Sequence, residues 1–346
     1  MIGLRIQQAR KARGWSLDGL AEQVHRIVTR QALHKYEKNQ AVPGSDVLLA
    51  LAGALGVSLD FFFREAATQV TLGQLACRKR TRVGARQLGT ICAQAKEQIE
   101  RRMELESLFT PERFAHFHKP THNRVARLED VEAVAKATRR ALNIGEDAIE
   151  NLSELLEDAG VKVVTWTGAE EGFDGFACWA NERIPVVVVK SGRPGDRQRS
   201  NLAHELGHLV MDVAPSVDPE KAARRFSGAF LVPDETARRE LSPHRQRLTL
   251  QELEQLKHKY GMSMQQWVYR AKDLGIITDS QAKWWFTFFR CQQAYPLEPG
   301  DQVREEKSEG LQRLAIQAVA EKLIAPTRGA ELSGLDVDEL RKVSTG

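Results

Sequence analysis

Four cysteines in 346 residues, Cys77, Cys92, Cys178 and Cys291, are scattered and form no C-x-x-C pair. That excludes a zinc ribbon and a disulfide frame, and the thiols read as free groups of a reducing compartment. No run of about eighteen apolar residues occurs, so no membrane-spanning helix is expected. The N-terminus is amphipathic and lacks the pattern of a secretory leader, so a cytoplasmic location is expected. No internal repeat or low-complexity tract is visible, which sets aside a solenoid. Net charge is also scarce: +4 is too little to indicate nucleic-acid binding by itself, and the distribution of charge has to decide. What remains, 42% hydrophobic and 28% charged residues, is the composition of an ordinary soluble protein long enough for two or three domains.

The stretch with the most chemistry is His204-Glu205-Leu206-Gly207-His208. Two histidines four apart on a helix share a face one turn apart, so both imidazoles can reach one tetrahedral metal ion. Glu205 stands beside the first of them, placed to take a proton from a water that the metal activates. Leu202, Leu206, Leu209 and Val210 form an apolar stripe at helical spacing, and His204 and His208 fall off it, unlike a buried structural pair. Gly207 costs about 1 kcal/mol against Ala in a helix interior. Close approach of a strand or substrate explains it, and so does tight packing.

Residues 1 to about 63 predict five short helices. Gly14 stops the first, Ser16 caps the second, Thr29 caps the third, Pro43-Gly44-Ser45 opens the fourth, and Gly56 ends it before a last turn through Phe63. Two helices joined by a short turn, the second largely polar, is the layout that puts a recognition helix in the major groove of double-stranded DNA. Arg30, Gln31, His34 and Lys35 are expected to point outward, with Thr29 at the phosphate-attracting helix start and Leu33 and Tyr36 facing the bundle. The stretch Thr29 to Pro43, followed by Leu48 to Asp60, resembles the Xre/Cro-type helix-turn-helix family. The resemblance implies sequence-specific duplex binding as a homodimer. Asn39 stands where that family often has glycine, and Asn tolerates the left-handed conformation.

Beyond it lie a basic cluster, Arg78 to Arg82, and an amphipathic segment from about Ala85 to Leu108, which reads as a connecting or pairing arm or as a helix packed on its own chain. His116, His118 and His122 lack a supporting ligand set. Helices are predicted over Glu129 to Leu142 and Ile149 to Ala159, then strands over Val161 to Trp166, Gly175 to Trp179 and Ile184 to Val189. Asp196 is expected to cap the metal-motif helix. From residue 246 onward the pattern is mostly helical, with Trp284, Trp285 and Phe286 expected to anchor its core.

A catalytic zinc has three protein ligands and one open position. The downstream candidates are Asp212, Asp218, Glu220, Glu235 and His244. Asp212 requires an awkward reach, whereas Glu220 begins a new amphipathic helix after Pro215 and Pro219, and a helix doubling back aims its first turn at the metal. Arg197-Gln198-Arg199, Leu202 to His208, Glu220 with Ala223, Phe226, Leu231 and Pro233, and the segments around Lys257 to Ser263 and Arg270 to Ile276 are together similar to the ImmA/IrrE metallopeptidases, over roughly residues 120 to 300. The resemblance implies Zn2+ on His204, His208 and Glu220, with Glu205 as general base. Arg224 stands where that family often has asparagine and Ser200 where an aromatic is common, which affects substrate contacts and no ligand. For an oxyanion-stabilising group, Tyr260 and His244 are conceivable.

The expected architecture is therefore multidomain and mainly α with an α+β part. It comprises a helix-turn-helix domain at 1–66, a helical linker at 67–120, a zinc metallopeptidase-like α+β module with a small sheet at 121–245, and a helical region at 246–346. The expected function is a DNA-binding transcriptional regulator that cleaves a repressor or antitoxin-like protein in a stress or mobile-element response. The alternative is a non-cleaving transcription factor whose peptidase-like domain senses a ligand or partner.

Overall fold

The computed structural model describes residues 2–63, 70–73, 83–168, 172–292 and 297–345, so the basic cluster at 78–82 and Cys77 lie outside the described residues. The first domain holds α1 (Ile2–Ala12), α2 (Leu17–Gln23), α3 (Arg30–Glu37), α4 (Ser45–Leu55) and α5 (Leu59–Phe63). Its starts and stops follow the caps. Ser16 and Thr29 accept from the backbone of Gly19 and Ala32, and Gly56 closes α4 at φ +60°. Ile6, Leu20, Leu33, Leu51 and Phe62 are fully buried where these helices meet. Asn39 is left-handed at φ 55°, and its side-chain oxygen accepts from Gly3 N at 3.0 Å, so it closes α3 and anchors the start of α1.

The amphipathic segment becomes α6 (Ala85–Glu106). It packs on its own chain. One face, with Ile91, Ala95 and Ile99, covers a sheet of β2 (Lys162–Trp166), β4 (Ile184–Lys190) and β3 (Gly175–Ala180). Strand order is β2-β4-β3, with β2 parallel and β3 antiparallel to β4. Val186 and Val188 face α6, and Val187 and Val189 face the opposite layer. Burial on both faces explains the unbroken apolar run, which a one-sided strand would alternate. The region expected as a linker is thus one layer of the α+β module, because its apolar stripe finds the sheet. α6 also holds the first domain: Arg5 meets Glu100 at 3.3 Å, and Gln94 and Arg86 donate to the carbonyls of Ala12 and Gly14.

The other layer contains α7 (Val131–Ala141), α8 (Leu152–Asp158), α9 (Gly195–Val210) and α10 (Pro219–Leu231). A two-residue parallel pair, β1 (Arg124–Val125) with β5 (Asp212–Val213), ties the end of α9. Then follow α11 (Asp234–Leu241), α12 (Leu250–Tyr260), α13 (Met264–Asp273) and α14 (Asp279–Cys291). Trp285 and Phe289 enter the core, but Trp284 is 59% exposed, a correction to the expected anchor: its neighbour Trp285 occupies the inward position of α14.

Residues 297–309 cross back over the start of α9. Gly195 N bonds Val303 O at 2.8 Å, and the Gln198 side-chain amide pairs with both backbone groups of Glu306. The Glu306 carboxylate accepts from Leu152 N and Ser153 N at the head of α8 and pairs with Arg199. Glu298 does the same for Met264 N and Gln265 N of α13. This crossing buries the first turn of α9. Asp196 is therefore not the cap: Pro194 holds that position, and Asp196 lies inside, 3.7 Å from the fully buried Lys257 ammonium. The chain continues with α15 (Gly310–Ala320) and α16 (Pro326–Ser333), which pack around Leu105 of α6, and α17 (Val337–Thr345), which packs on α15 and α16. No helix among the described residues is long and apolar enough to cross a membrane.

Candidate metal centre and nucleic-acid interface

α9 turns Leu202, Leu206, Leu209 and Val210 into the core, which leaves the His204 and His208 side chains on its other side, 18% and 7% exposed. Their Nε2 atoms are 3.2 Å apart. After β5 the chain reverses, and Asp218 caps α10 by accepting from Glu220 N at 2.9 Å and Lys221 N at 3.3 Å. The cap fixes Glu220 in the first turn, aimed back at α9. Its two carboxylate oxygens lie 3.5 Å from His204 Nε2 and 3.4 Å from His208 Nε2.

Gly207 sets how closely the two helices approach. A Cβ there would lie 2.9 Å from Cδ1 of the fully buried Phe226 on α10. Tight helix packing, not substrate access, therefore accounts for the glycine.

Two imidazoles and a carboxylate form a donor set suited to an open catalytic zinc site. Their ligand atoms all lie within 4.8 Å of one another. Zinc bonds of about 2.0–2.1 Å in tetrahedral directions require donors ~3.4 Å apart; here the two Nε2 atoms are 3.2 Å apart, and the two Glu220 oxygens lie one against each imidazole, at 3.5 and 3.4 Å. The residues fit the ion. Hydrogen bonds from His204 and His208 hold the Glu220 carboxyl well below the usual carboxylate range. Burial acts to lower the His208 value, but the Glu220 hydrogen bond and the charges of Glu205 and Glu220 outweigh it and raise the group.

Glu205 is 4% exposed and opens onto a cavity of about 960 Å³ that His204 and Glu220 also line. Its side chain runs along the start of β3, where a Cβ on Gly175 would lie 2.8 Å from the Val188 carbonyl oxygen and 3.3 Å from Glu205 Cγ, so the glycine is required first by β4 and also leaves room for the Glu205 side chain. The opposite wall comes from α10 and α13, including Lys221, Arg224, Ser227, Gln266 and Tyr269. Of these, Arg224 stood out in the sequence as a departure from the family pattern that affects substrate contacts; nothing local marks the others.

The other ligand candidates are engaged elsewhere. Asp212 pairs with Arg124 at 2.6 Å, Asp218 is the cap, Glu235 meets Lys136 at 2.7 Å, and His244 is exposed outside the cavity. The Tyr260 hydroxyl donates to Glu240 at 2.7 Å and its ring packs on Trp267, so neither Tyr260 nor His244 faces the site. Among the described residues, His116, His118 and His122 form no metal-binding group.

In the first domain, Thr29, Arg30, Gln31, His34 and Lys35 all lie on the exposed side of α3, while Leu33 is buried. The Thr29 hydroxyl is the cap, and Arg30 approaches Asp18 at 3.7 Å. No acidic residue occupies the first turn of α3, so its positive end is open to a phosphate.

Residues 6–62 match the family model described as Helix-turn-helix, and residues 156–272, which include His204, His208 and Glu220, match the IrrE N-terminal-like domain. Over 75 residues the chain is 33% identical to the SPbeta prophage-derived uncharacterized HTH-type transcriptional regulator YonR of Bacillus subtilis (strain 168), an alignment covering 22% of this chain and 68% of that protein. No solved structure matches the chain.

Proposed function

We propose that this chain, which belongs to the helix-turn-helix family of transcriptional regulators and carries a metallopeptidase-type domain, reads duplex DNA through α3 and hydrolyses a peptide bond of a protein partner at the His204, His208 and Glu220 centre. The observation that carries the hydrolytic half is the convergence of the two imidazoles and the Glu220 carboxylate, ligand atoms within 4.8 Å of one another, beside the buried carboxylate of Glu205. Zinc, when bound, supplies Lewis-acid polarisation of the scissile carbonyl and of water. The remaining work belongs to side chains. His204, His208 and Glu220 hold the ion, and the Asp218 cap keeps Glu220 in place. Glu205 accepts the proton of the attacking water and returns it to the leaving amine. The cavity wall of α10 and α13 seats the polypeptide.

The partner is a repressor or antitoxin-like protein, and the setting a stress or mobile-element response. The prophage origin in the name of the Bacillus relative supports the latter. A DNA reader of this kind acts in the cytoplasm, as a homodimer on a two-fold operator. Comparing the proteomes of cells that carry wild-type or Glu205→Gln protein tests the reading. The expected result is that Glu205→Gln retains metal and DNA binding while cleavage of one protein disappears. If no protein depends on Glu205 for cleavage, the non-cleaving sensor takes its place.

A further inference from the structure

Charge in the cavity over the metal centre is not evenly matched. Asp174 is held by Arg193 and Arg197 at 3.9 and 3.5 Å, and Asp196 and Glu298 are buried around Lys257. Asp273 feels first its own burial and then the Arg225 guanidinium, and Lys272 meets Asp279 at 3.2 Å. Two cations in the lining, Lys221 and Arg224, are left over. Both are exposed, and their side chains form no ion pair or hydrogen bond among the described residues.

Both stand on α10, on the face that starts with Glu220. Lys221 follows Glu220 directly, and Arg224 lies one turn on, about 6 Å along the helix axis. An extended polypeptide advances about 3.3 Å per residue. A substrate with its reacting carbonyl at the Glu220 end of α10 therefore brings a side chain about two residues away under Arg224. We infer that Lys221 and Arg224 select a substrate segment with an Asp or Glu side chain within about two residues of the bond to be cleaved. The inference rests on the peptidase reading and names its substrate class. A duplex is the poorer occupant: the two cations line a concave cavity beside Glu205 and Glu220, whose carboxylates repel phosphate, and the polar face of α3 lies in another domain.

The test is a binding measurement on the full chain carrying Glu205→Gln, so that it does not depend on turnover. The probes are fluorescein-labelled Gly/Ser decapeptides with a central Leu flanked, two residues away on either side, by Glu, Gln or Lys. Fluorescence anisotropy should rank Glu over Gln by about tenfold at low salt, the scale of two exposed charge pairs, with Lys weakest. The gap should narrow at high salt, and Lys221→Glu with Arg224→Glu should reverse the order. Neither side chain has a partner to lose, so the double variant should keep its fold, which its melting curve reports. Equal binding of the three peptides, or binding of none, overturns the inference. Loss of duplex affinity in the double variant with the peptide order unchanged assigns the pair to phosphate and also overturns it. Mass spectrometry of the Glu peptide incubated with wild-type protein separates the two claims. Preferential binding without any cut removes the peptidase reading and leaves the carboxylate subsite standing.

Discussion

Replacing Gly207 by alanine sets two opposed effects against each other on one atom. Helix propensity alone favours alanine by about 1 kcal/mol. The added methyl, however, would sit 2.9 and 3.2 Å from Cδ1 and Cγ of Phe226 and 3.3 Å from Met211 Cε, where carbon contacts normally lie at about 3.5–4.0 Å. Met211 is flexible and can yield. Phe226 cannot easily do so, being fully buried and stacked on Phe230 with ring centroids 5.5 Å apart. Overpacking of this kind costs about 1–3 kcal/mol, so steric strain should exceed propensity and leave a net loss of about 0–2 kcal/mol. The cheapest relief moves α10 outward by about half an ångström, and Glu220 moves with it. A ligand displaced in this way should weaken zinc binding by about 10- to 100-fold, the range seen when the support of a metal ligand is removed. Competition against a chromophoric chelator reads the affinity, and thermal melts of the metal-free protein read the stability. Adding Phe226→Leu to Gly207→Ala should restore much of both. A Gly207→Ala protein that is about 1 kcal/mol more stable and binds zinc normally would refute the packing argument.

Lys257→Met should cost about 3–5 kcal/mol in a denaturant melt, because it leaves the buried carboxylates of Asp196 and Glu298 without their cation; a second change, Asp196→Asn, should recover part of that loss, and a silent Lys257→Met would show that the cluster is already neutral. In metal-free protein the raised His208 group contributes stability that is complete below its ordinary value of 6.5 and lost as pH rises through its folded value, whereas the lowered Glu220 group contributes stability that is complete above 4.5 and lost as pH falls. The stability gap between metal-free wild type and Glu220→Gln should therefore be widest from pH 4.5 to 6.5 and shrink on both sides, and a gap independent of pH would contradict the Glu220–imidazole pairing. Gln31→Ala should relax base preference by about 1–3 kcal/mol at one position of a duplex selected from a random pool, while Lys35→Ala should weaken all sequences alike and lower the salt dependence.

Where a signal is local, the sequence carried it. Ser16, Thr29 and Gly56 mark the ends of the first helices, and the capping boundaries at Thr249, Ser263 and Thr278 are equally readable afterwards. The valine run of β4 announced a strand, and the spacing of His204 and His208 put both imidazoles on one side of α9. What was not legible depends on contacts distant in sequence. Residues 297–309 have no period, yet Glu306 and Glu298 cap α8 and α13 from afar, and their crossing turned Asp196 from an expected cap into a buried charge. The stripe on α6 was plain, but whether it met a second chain or its own sheet was decided by β4. Tyr260 was offered for the oxyanion on residue type alone, and its hydroxyl belongs to Glu240. Three adjacent aromatics in α14 cannot all face inward on a helix, and Trp284 is the one left outside.

Whether His204, His208 and Glu220 hold one zinc ion is decided by anomalous diffraction at the zinc edge, on crystals grown with the metal. The expected result is one peak per chain among the two Nε2 atoms and the Glu220 carboxylate, about 2.0–2.2 Å from each, and its absence from crystals of Glu220→Ala. No peak there at full zinc, or one that survives the loss of Glu220 unchanged, would contradict the assignment.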